Sequence, residues 1–490
     1  MPSALTNFLP PSNFITNGML QQPCVSGNDI ATQSILNGMI APNSIDVTKL
    51  QSATVSGNAI ATQSILPGHI IGGLQANRNK IINGDFAIWQ RMSGLSFNIS
   101  NVAATKQNYT ADRWSLLCST GNGIYQVFRE ERLHPYDQFN QYVRNPFGYT
   151  LKVVCSGTDS TASAGQNLTA LHTVIENADL AIFGNERAES LSVVASFWIR
   201  SSKIGNINVF LRPYFTNGTY YSPQNQIASI IALVPIQAAN TWEYKQVCMG
   251  NTQLWTNLIS QNDPTLYNQN ISLSGVGFGI TLQCGNPYQS SAGTDGIVPS
   301  TNKPIVLGSS SGLSFNTAGD FFYISQVQLE GIPNINPIAT TGYLNTSGTF
   351  ATPFETVPYQ QQLAKCQRYC VHYFNQPGNG ANAIFQTGFV CNATNAALGS
   401  WVLPVPMRTT PSVSCISGNL GAGPSGAFAL LSFGDGTLNL PISTFTITKS
   451  DGLLNPRVDL VGAGTGLTGG RSIYIFTNSA LASLVFNADF

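Results

Sequence analysis

Branched aliphatic residues recur at every fifth position near the N-terminus: Ile15, Leu20, Val25, Ile30, Ile35, Ile40, Ile45, Leu50, Val55, Ile60, Ile65 and Ile70. Superimposed on this register, Val25 to Ile40 (VSGNDIATQSILNGMI) returns as Val55 to Ile70 (VSGNAIATQSILPGHI), identical at thirteen of sixteen positions. A period of five fits neither a helix of period 3.6 nor a flat strand, where odd spacing throws successive aliphatics onto opposite faces. The chain must therefore bend between them, and Gly18, Gly27, Gly38, Gly57, Pro67 and Gly68 supply the turn residues. Each pentad reads as a short extended step and a corner.

One aliphatic in five cannot close a core within a single chain. At about 25 cal/mol per Å² the area buried would not offset the ordering of the other four residues. Further copies must supply the missing wall, and a thin shaft of three intertwined chains does so, each burying its pentad residues against the other two. The alternative is a single-chain pentapeptide solenoid, which wants small residues two places before each aliphatic. Here Gln33, Gln63, Thr48 and Pro23 occupy such places, which favours the homotrimeric shaft.

After Gly72 and Gly73 the register ends and the pattern changes to alternation. The runs Tyr149 to Cys155, Leu191 to Arg200, Ile207 to Arg212, Ile271 to Cys284 and Phe321 to Leu329 are rich in β-formers and are separated by Gly, Asn and Ser clusters. Helical spacing is scarce, apart from a short stretch near Leu168 to Asp179. Many short strands without βαβ alternation predict a β-sandwich of jelly-roll type. Further on, Tyr359 to Phe374 is the best helix candidate, with Leu363, Cys366, Cys370 and Tyr373 on one stripe. Strands are then predicted at Trp401 to Leu403, Ser412 to Ile416, Ala427 to Phe433, Phe445 to Thr448, Val458 to Val461 and Ile473 to Phe476, the material of a second, smaller β-sandwich.

Composition narrows the partners. Charged residues make up 9% of the 490, against roughly 25% in ordinary soluble chains, and Lys plus Arg balance Asp plus Glu at 22 each. No basic run exists to neutralise phosphates, so nucleic acid is not expected. No apolar stretch approaches the length of a membrane span, and residues Met1 to Leu5 lack the features of a secretory signal, so a soluble, cytosolically made product without membrane insertion is expected. Nine cysteines are scattered from Cys24 to Cys415, an odd number without disulfide-scaffold spacing. Cys366 and Cys370 with His372 fall short of four zinc ligands, so core packing is the expectation and no metal or other cofactor is predicted.

Two segments carry a resemblance. Ile81 to Arg91 (IINGDFAIWQR) with Tyr109 to Trp114 (YTADRW) resembles the opening of a jelly-roll domain found in phage tail fibre proteins. Phe322 to Ile324, Val327 to Gly331, Ala351 to Glu355 and Cys366 to Tyr369 are similar to its close. The resemblance implies a virion appendage, and a sandwich similar to galactose-binding-like carbohydrate-binding modules. Such modules often hold a structural calcium, but Ala87 and Ser325 stand at the corresponding places here. Val405 to Arg408 and Thr410 to Val413 also resemble fibre ends, which commonly trimerise. Trp114, Trp198 and Trp242 are candidates for stacking on sugar rings, each with core packing as the competing assignment.

Two enzyme motifs lack their context. Gly464 to Gly469 matches GxGxxG but precedes the strand-like Arg471 to Phe476, where a dinucleotide site needs a helix. Gly308 to Gly312 matches a nucleophile elbow, with Asp320 and His372 downstream, again without the helix. The expected organisation is an N-terminal attachment region and shaft over 1–76, a jelly-roll sandwich over 77–332, a linker over 333–358, and a helix with a second sandwich over 359–490. The expected role is a non-enzymatic phage tail or collar fibre on the virion surface, held by its N-terminal region to other tail, collar or capsid proteins and adhering to a host glycan. The alternatives are a head-fibre, collar or baseplate component without a receptor, and a tailspike-type glycan depolymerase. The glycine-rich stretches Gly418 to Gly426 and Gly462 to Gly470 are the candidate tip loops; the receptor-contact residues are not identified by sequence.

Overall fold

The strand patterns predicted from alternation build two antiparallel sheets packed face to face. The computed structural model describes residues 78–91, 96–100, 106–118, 124–131, 149–158, 168–176, 179, 191–215, 229–251, 273–284, 296–298, 313–333, 351–374, 384–415, 428–432, 439–449, 457–462, 465–477 and 483–488. The twelve pentad residues from Ile15 to Ile70, and with them the shaft, lie outside the described residues. All those described belong to one compact unit, Pro67–Phe490.

The first sheet runs in the order β1 (Ser96–Ser100), β4 (Ile124–Glu131), β5 (Tyr149–Gly157), β13 (Phe321–Pro333), β7 (Leu191–Ser201) and β10 (Trp242–Asn251). The second has seven strands: β12 (Gly296–Val298), β9 (Ser229–Ile236), β8 (Gly205–Phe215), β11 (Leu273–Cys284), β6 (Leu168–Glu176), β3 (Trp114–Cys118) and β2 (Lys106–Tyr109). Alternate residues of each sheet point inward. Tyr125 and Val127, Leu151 and Val153, Phe197 and Ile199, and Phe322 and Ile324 meet Leu171 and Ile175, Val209 and Leu211, Ile230 and Ala232, and Phe278 and Ile280 in a single core. Each such aliphatic contributes about 1.5–3 kcal/mol on burial.

The outer face of the seven-stranded sheet is also buried. Leu117, Ala170, His172, Asn208, Phe210, Arg212 and Ile231 are all at 2% exposure or less. Gly279 lies beneath the Phe210 ring, where a β-carbon would stand 2.3 Å from Cζ.

Beyond the sandwich come α1 (Tyr359–Gln367) and β14 (Cys370–Phe374). The strands β15 (Ile384–Ala393), β16 (Ala396–Ser400), β20 (Arg457–Gly462), β19 (Asn439–Lys449), β18 (Phe428–Ser432) and β21 (Ser472–Thr477) close into a barrel. Strands β14, β22 (Ser483–Asn487) and β17 (Ser412–Cys415) form a separate three-stranded sheet. Trp401 fills the space between them at 1% exposure, with Phe486, Tyr373, Phe445 and Phe389 ring centroids 5.2–6.3 Å away. Where a second sandwich was expected, six of the strands thus close on themselves, which leaves that sheet no open edge.

Three further expectations about secondary structure are corrected. The helical stretch near Leu168 to Asp179 is strand β6 over Leu168–Glu176, because Leu171 and Ile175 fit a period of two as well as one of four, and pairing with β3 and β11 on both sides selects the strand. The helix predicted to Phe374 ends at Gln367: Tyr369 N–H donates to Cys366 O at 2.9 Å, and the β-branched and aromatic run from Cys370 pairs with β22. Trp401 to Leu403 is irregular, its aromatic ring serving as core. The linker expected over 333–358 is tied to the first sheet over its last eight residues: Ala351 N–H donates to the Gln246 amide oxygen at 3.0 Å, and Thr352 Oγ1 to Glu330 Oε2 at 2.6 Å.

Gly84 touches β13 so closely that a β-carbon would lie 2.0 Å from Val327 O, while Val327 N–H donates to Gly84 O at 2.8 Å. Gly84→Ala is expected to cost about 1–3 kcal/mol of stability, read by urea unfolding. Gly469→Ala, with nothing within 4 Å, is the near-neutral control.

Candidate functional site

The two motifs that open the sandwich fold onto each other. Asn83, at 1% exposure, donates from Nδ2 to Ile88 O and Asp112 O at 2.9 Å each, and its Oδ1 accepts from Ile88 N–H at 3.0 Å. Its backbone oxygen accepts the Trp114 indole N–H at 3.0 Å. Asp112 takes the Gln90 backbone N–H at 3.1 Å, and the Gln90 amide reaches Cys370 O at 2.8 Å, joining the sandwich to the three-stranded sheet. Asn83, Phe86 and Arg113 adopt left-handed backbone with φ of 59°, 57° and 71°. At the places where similar modules ligate calcium, Ala87 packs with Ile88 and Cys366, and Ser325 Oγ donates to Tyr149 O at 3.1 Å. Among the described residues no three His, Cys, Asp or Glu side chains group to hold a metal.

The three candidate tryptophans part company. Trp114 is core, at 0% exposure and with its ring 5.0 Å from Phe86. Trp242, at 6%, leans on Tyr323 with centroids 5.9 Å apart. Trp198 is half-buried and pairs with Tyr244 at 5.2 Å, and Tyr244 is 39% exposed. Both lie on the outer face of the six-stranded sheet, because Phe197 and Ile199 on either side of Trp198 face the core.

Cross-strand register sets a row on that face. Trp242 stands opposite Arg200, Arg200 opposite Tyr323, Tyr323 opposite Lys152, and Lys152 opposite Phe128, so that aromatic and cationic side chains alternate. The Lys152 ammonium lies 5.0 Å from the Tyr323 ring centre and 5.2 Å from that of Phe128, and the Arg200 guanidinium 5.4 Å from Tyr323. Burial works against the Lys152 charge, but hydrogen bonds to Tyr323 and Glu130 outweigh it and hold its pKa above the ordinary lysine value. Strands about 4.8 Å apart thus set these rings and cations side by side, with Trp242 and Tyr323 buried at 6% and 7% exposure and Phe128, Lys152 and Arg200 half-buried. Such a surface stacks on apolar sugar faces while the cations bind hydroxyl or carboxylate oxygens.

The remaining sequence candidates do not converge. Asp320 pairs with Lys203 at 2.6 Å, and a His372 ring nitrogen meets Gln90 O, so the two downstream members of the hydrolase pattern have separate partners. Cys366 is fully buried and Cys370 lies in β14. The glycine motif ending at Gly469 is followed by strand β21. The connection there is tied down by Gly466 N–H and Leu467 N–H on Thr394 O, at 2.9 and 2.8 Å. Gly308 to Gly312 and Gly418 to Gly426 lie outside the described residues. Among the described residues no helix is long and apolar enough to cross a membrane.

No protein-family model matches the chain, and no curated protein matches it. Among solved structures, the enzymatically active domain of bacteriophage CBA120 tailspike protein 4 is similar over 52% of this chain at 9% identity and a TM-score of 0.22; only 22% of that chain is covered. TmCBM61, solved in complex with beta-1,4-galactotriose, is similar over 42% of this chain and 86% of its own, at 8% identity and a TM-score of 0.18. The N-terminal CBM22-1-CBM22-2 tandem domain of Paenibacillus barcinonensis Xyn10C covers 79% of this chain and 98% of its own, at 12% identity and a TM-score of 0.19. At these TM-scores the likenesses carry no inference about this chain.

One buried titratable group lies on the far sheet. His172 Nδ1 is 3.2 Å from Ser115 Oγ, and burial, then the charges of Arg113 and Arg212, push its pKa down from 6.5 to about 3. The folded value lies below the unfolded one, so its stabilising contribution is complete above pH 6.5 and falls away as the pH drops towards 3, by about 1.4 kcal/mol per unit. Urea unfolding between pH 7 and 4 is expected to show a slope that His172→Gln reduces by that amount, while His372→Gln reduces it less.

Proposed function

We propose that this chain is a structural subunit of a phage appendage, a homotrimeric tail or collar fibre on the virion, that adheres to a host-surface glycan without cleaving it. The observation that carries the adhesion is the sheet face on which the exposed Tyr244 and half-buried Trp198 stack, with half-buried Arg200 and Lys152 nearby around the Tyr323 ring. Two features of the sequence support the appendage: the pentad register from Ile15 to Ile70, which needs further copies to bury it, and the motifs that resemble tail-fibre domains. The N-terminal region would attach to other tail, collar or capsid proteins.

Three copies of a weak sugar site on one fibre bind a repetitive polysaccharide far more firmly than one copy does. A depolymerase would need two carboxylates placed across a glycosidic bond. The carboxylate beside Lys152 on that surface is instead committed, Glu130 to Lys152 at 2.9 Å.

Binding of the full chain to bacterial surface polysaccharides and whole cells tests the reading, with product lengths measured in the same mixtures. Saturable binding with unshortened glycan is expected, weakened about tenfold, or ~1.4 kcal/mol, by Trp198→Ala or Tyr244→Ala. Shortened chains would make the protein a depolymerase, and absence of binding would make it a collar component without a receptor.

A further inference from the structure

A cleft of about 450 Å³ opens between the start of the sandwich, the end of β6 and the last turn of α1, within the roughly 300–1,000 Å³ usual for small-ligand sites. Lys80, Glu176, Asp179, Lys365 and Arg368 line it together with Asn79, Ile82 and Tyr369. Five of eight lining residues thus carry charge in a chain where 9% do. Charge is concentrated here far beyond the chain's own composition, and three cations face two carboxylates.

The back wall is fixed. The Arg368 guanidinium donates to Glu176 at 3.0 Å, and Tyr369, 2% exposed, lies with its ring 3.4 Å from the Arg113 guanidinium carbon. Asn79 is held by three bonds: its Oδ1 accepts from Ile81 N–H at 2.9 Å and Leu329 N–H at 3.1 Å, and its Nδ2 donates to Val327 O at 3.1 Å. Burial depresses the Lys80 pKa, with the charges of Asp179 and Glu355 opposing it. A cation so placed gains most from an anion brought into the cleft, because that anion replaces water the lysine has already lost.

We propose that this cleft binds a carboxylate-bearing sugar, a uronic-acid unit, with its carboxylate between the Lys80 and Lys365 ammonium groups and a ring hydroxyl donated to Asp179. The apolar face of the sugar lies towards Ile82. A neutral sugar forfeits the ionic contacts. An inorganic anion forfeits the hydroxyl and apolar ones. The site is separate from the Trp198 and Tyr244 surface, so either can fail while the other stands.

Calorimetric titration of the full chain with galacturonic acid, galactose and inorganic phosphate at neutral pH tests it. Galacturonic acid is expected to bind once per chain, at least tenfold more tightly than galactose or phosphate. Lys365→Gln and Lys80→Gln are each expected to weaken it at least tenfold, with thermal melting unchanged for the half-exposed Lys365 position, while Trp198→Ala leaves it intact. The inference is overturned if galactose binds as tightly, if phosphate does so as a plain anion would, if galacturonic acid does not bind, or if a folded Lys365→Gln protein binds it as wild type does.

Discussion

The hydrogen bonds of one buried side chain, Asn83, link the first turn of the sandwich, the Asp112 turn and α1. Its amide ties the first turn of the sandwich to the Asp112 turn, and its oxygen also accepts from the Gln362 amide of α1 at 3.3 Å. An unpaired amide at that depth would cost several kcal/mol, so these partners must form together or not at all. Through Gln90, the same network reaches Cys370 O and the three-stranded sheet. The two hydrophobic cores are therefore joined by polar bonds through the motif that opens the domain. The end of α1 and the end of β6 are joined directly by Arg368 with Glu176 at 3.0 Å, at the wall of the charged cleft.

Scarcity of charge shapes the rest. With so few ionisable groups, those beside the proposed surfaces are paired, as in Lys152 with Glu130 and Arg368 with Glu176. The six-stranded sheet keeps its core on one side and carries its rings and cations on the other, part of which is covered where Ala351 packs on Val194 and Cys248. A half-buried patch that is aromatic and cationic suits recognition of a polyhydroxylated chain better than packing against another apolar wall.

Much of the fold was legible because alternation is a local signal. The strands predicted from Tyr149, Leu191, Ile207, Ile271 and Phe321 stand within a few residues of β5, β7, β8, β11 and β13. Strand β6 was not, since Leu171 and Ile175 satisfy both periods and only pairing on two sides decides between them. Closure of the C-terminal strands into a barrel depends on β15 pairing with the distant β21, which no local pattern records. The site was legible in part: Trp198 stood out by residue type, but its apolar run suggested core, and only period two separates it from Phe197 and Ile199. Tyr244 and Arg200 carried no signal, because their placement needs the register between β10, β7 and β13. The cleft joins Lys80, Glu176 and Lys365, too far apart in sequence for any motif.

The account rests on copies of the chain assembling so that weak sugar contacts act together, and the pentad register is its physical basis. Light scattering on the purified full-length protein addresses this most directly. A mass three times the 52.4 kDa of one chain is predicted, reduced to a single chain when Ile35 and Ile65 are changed to Asp. A folded wild-type protein with the mass of one chain would contradict the account.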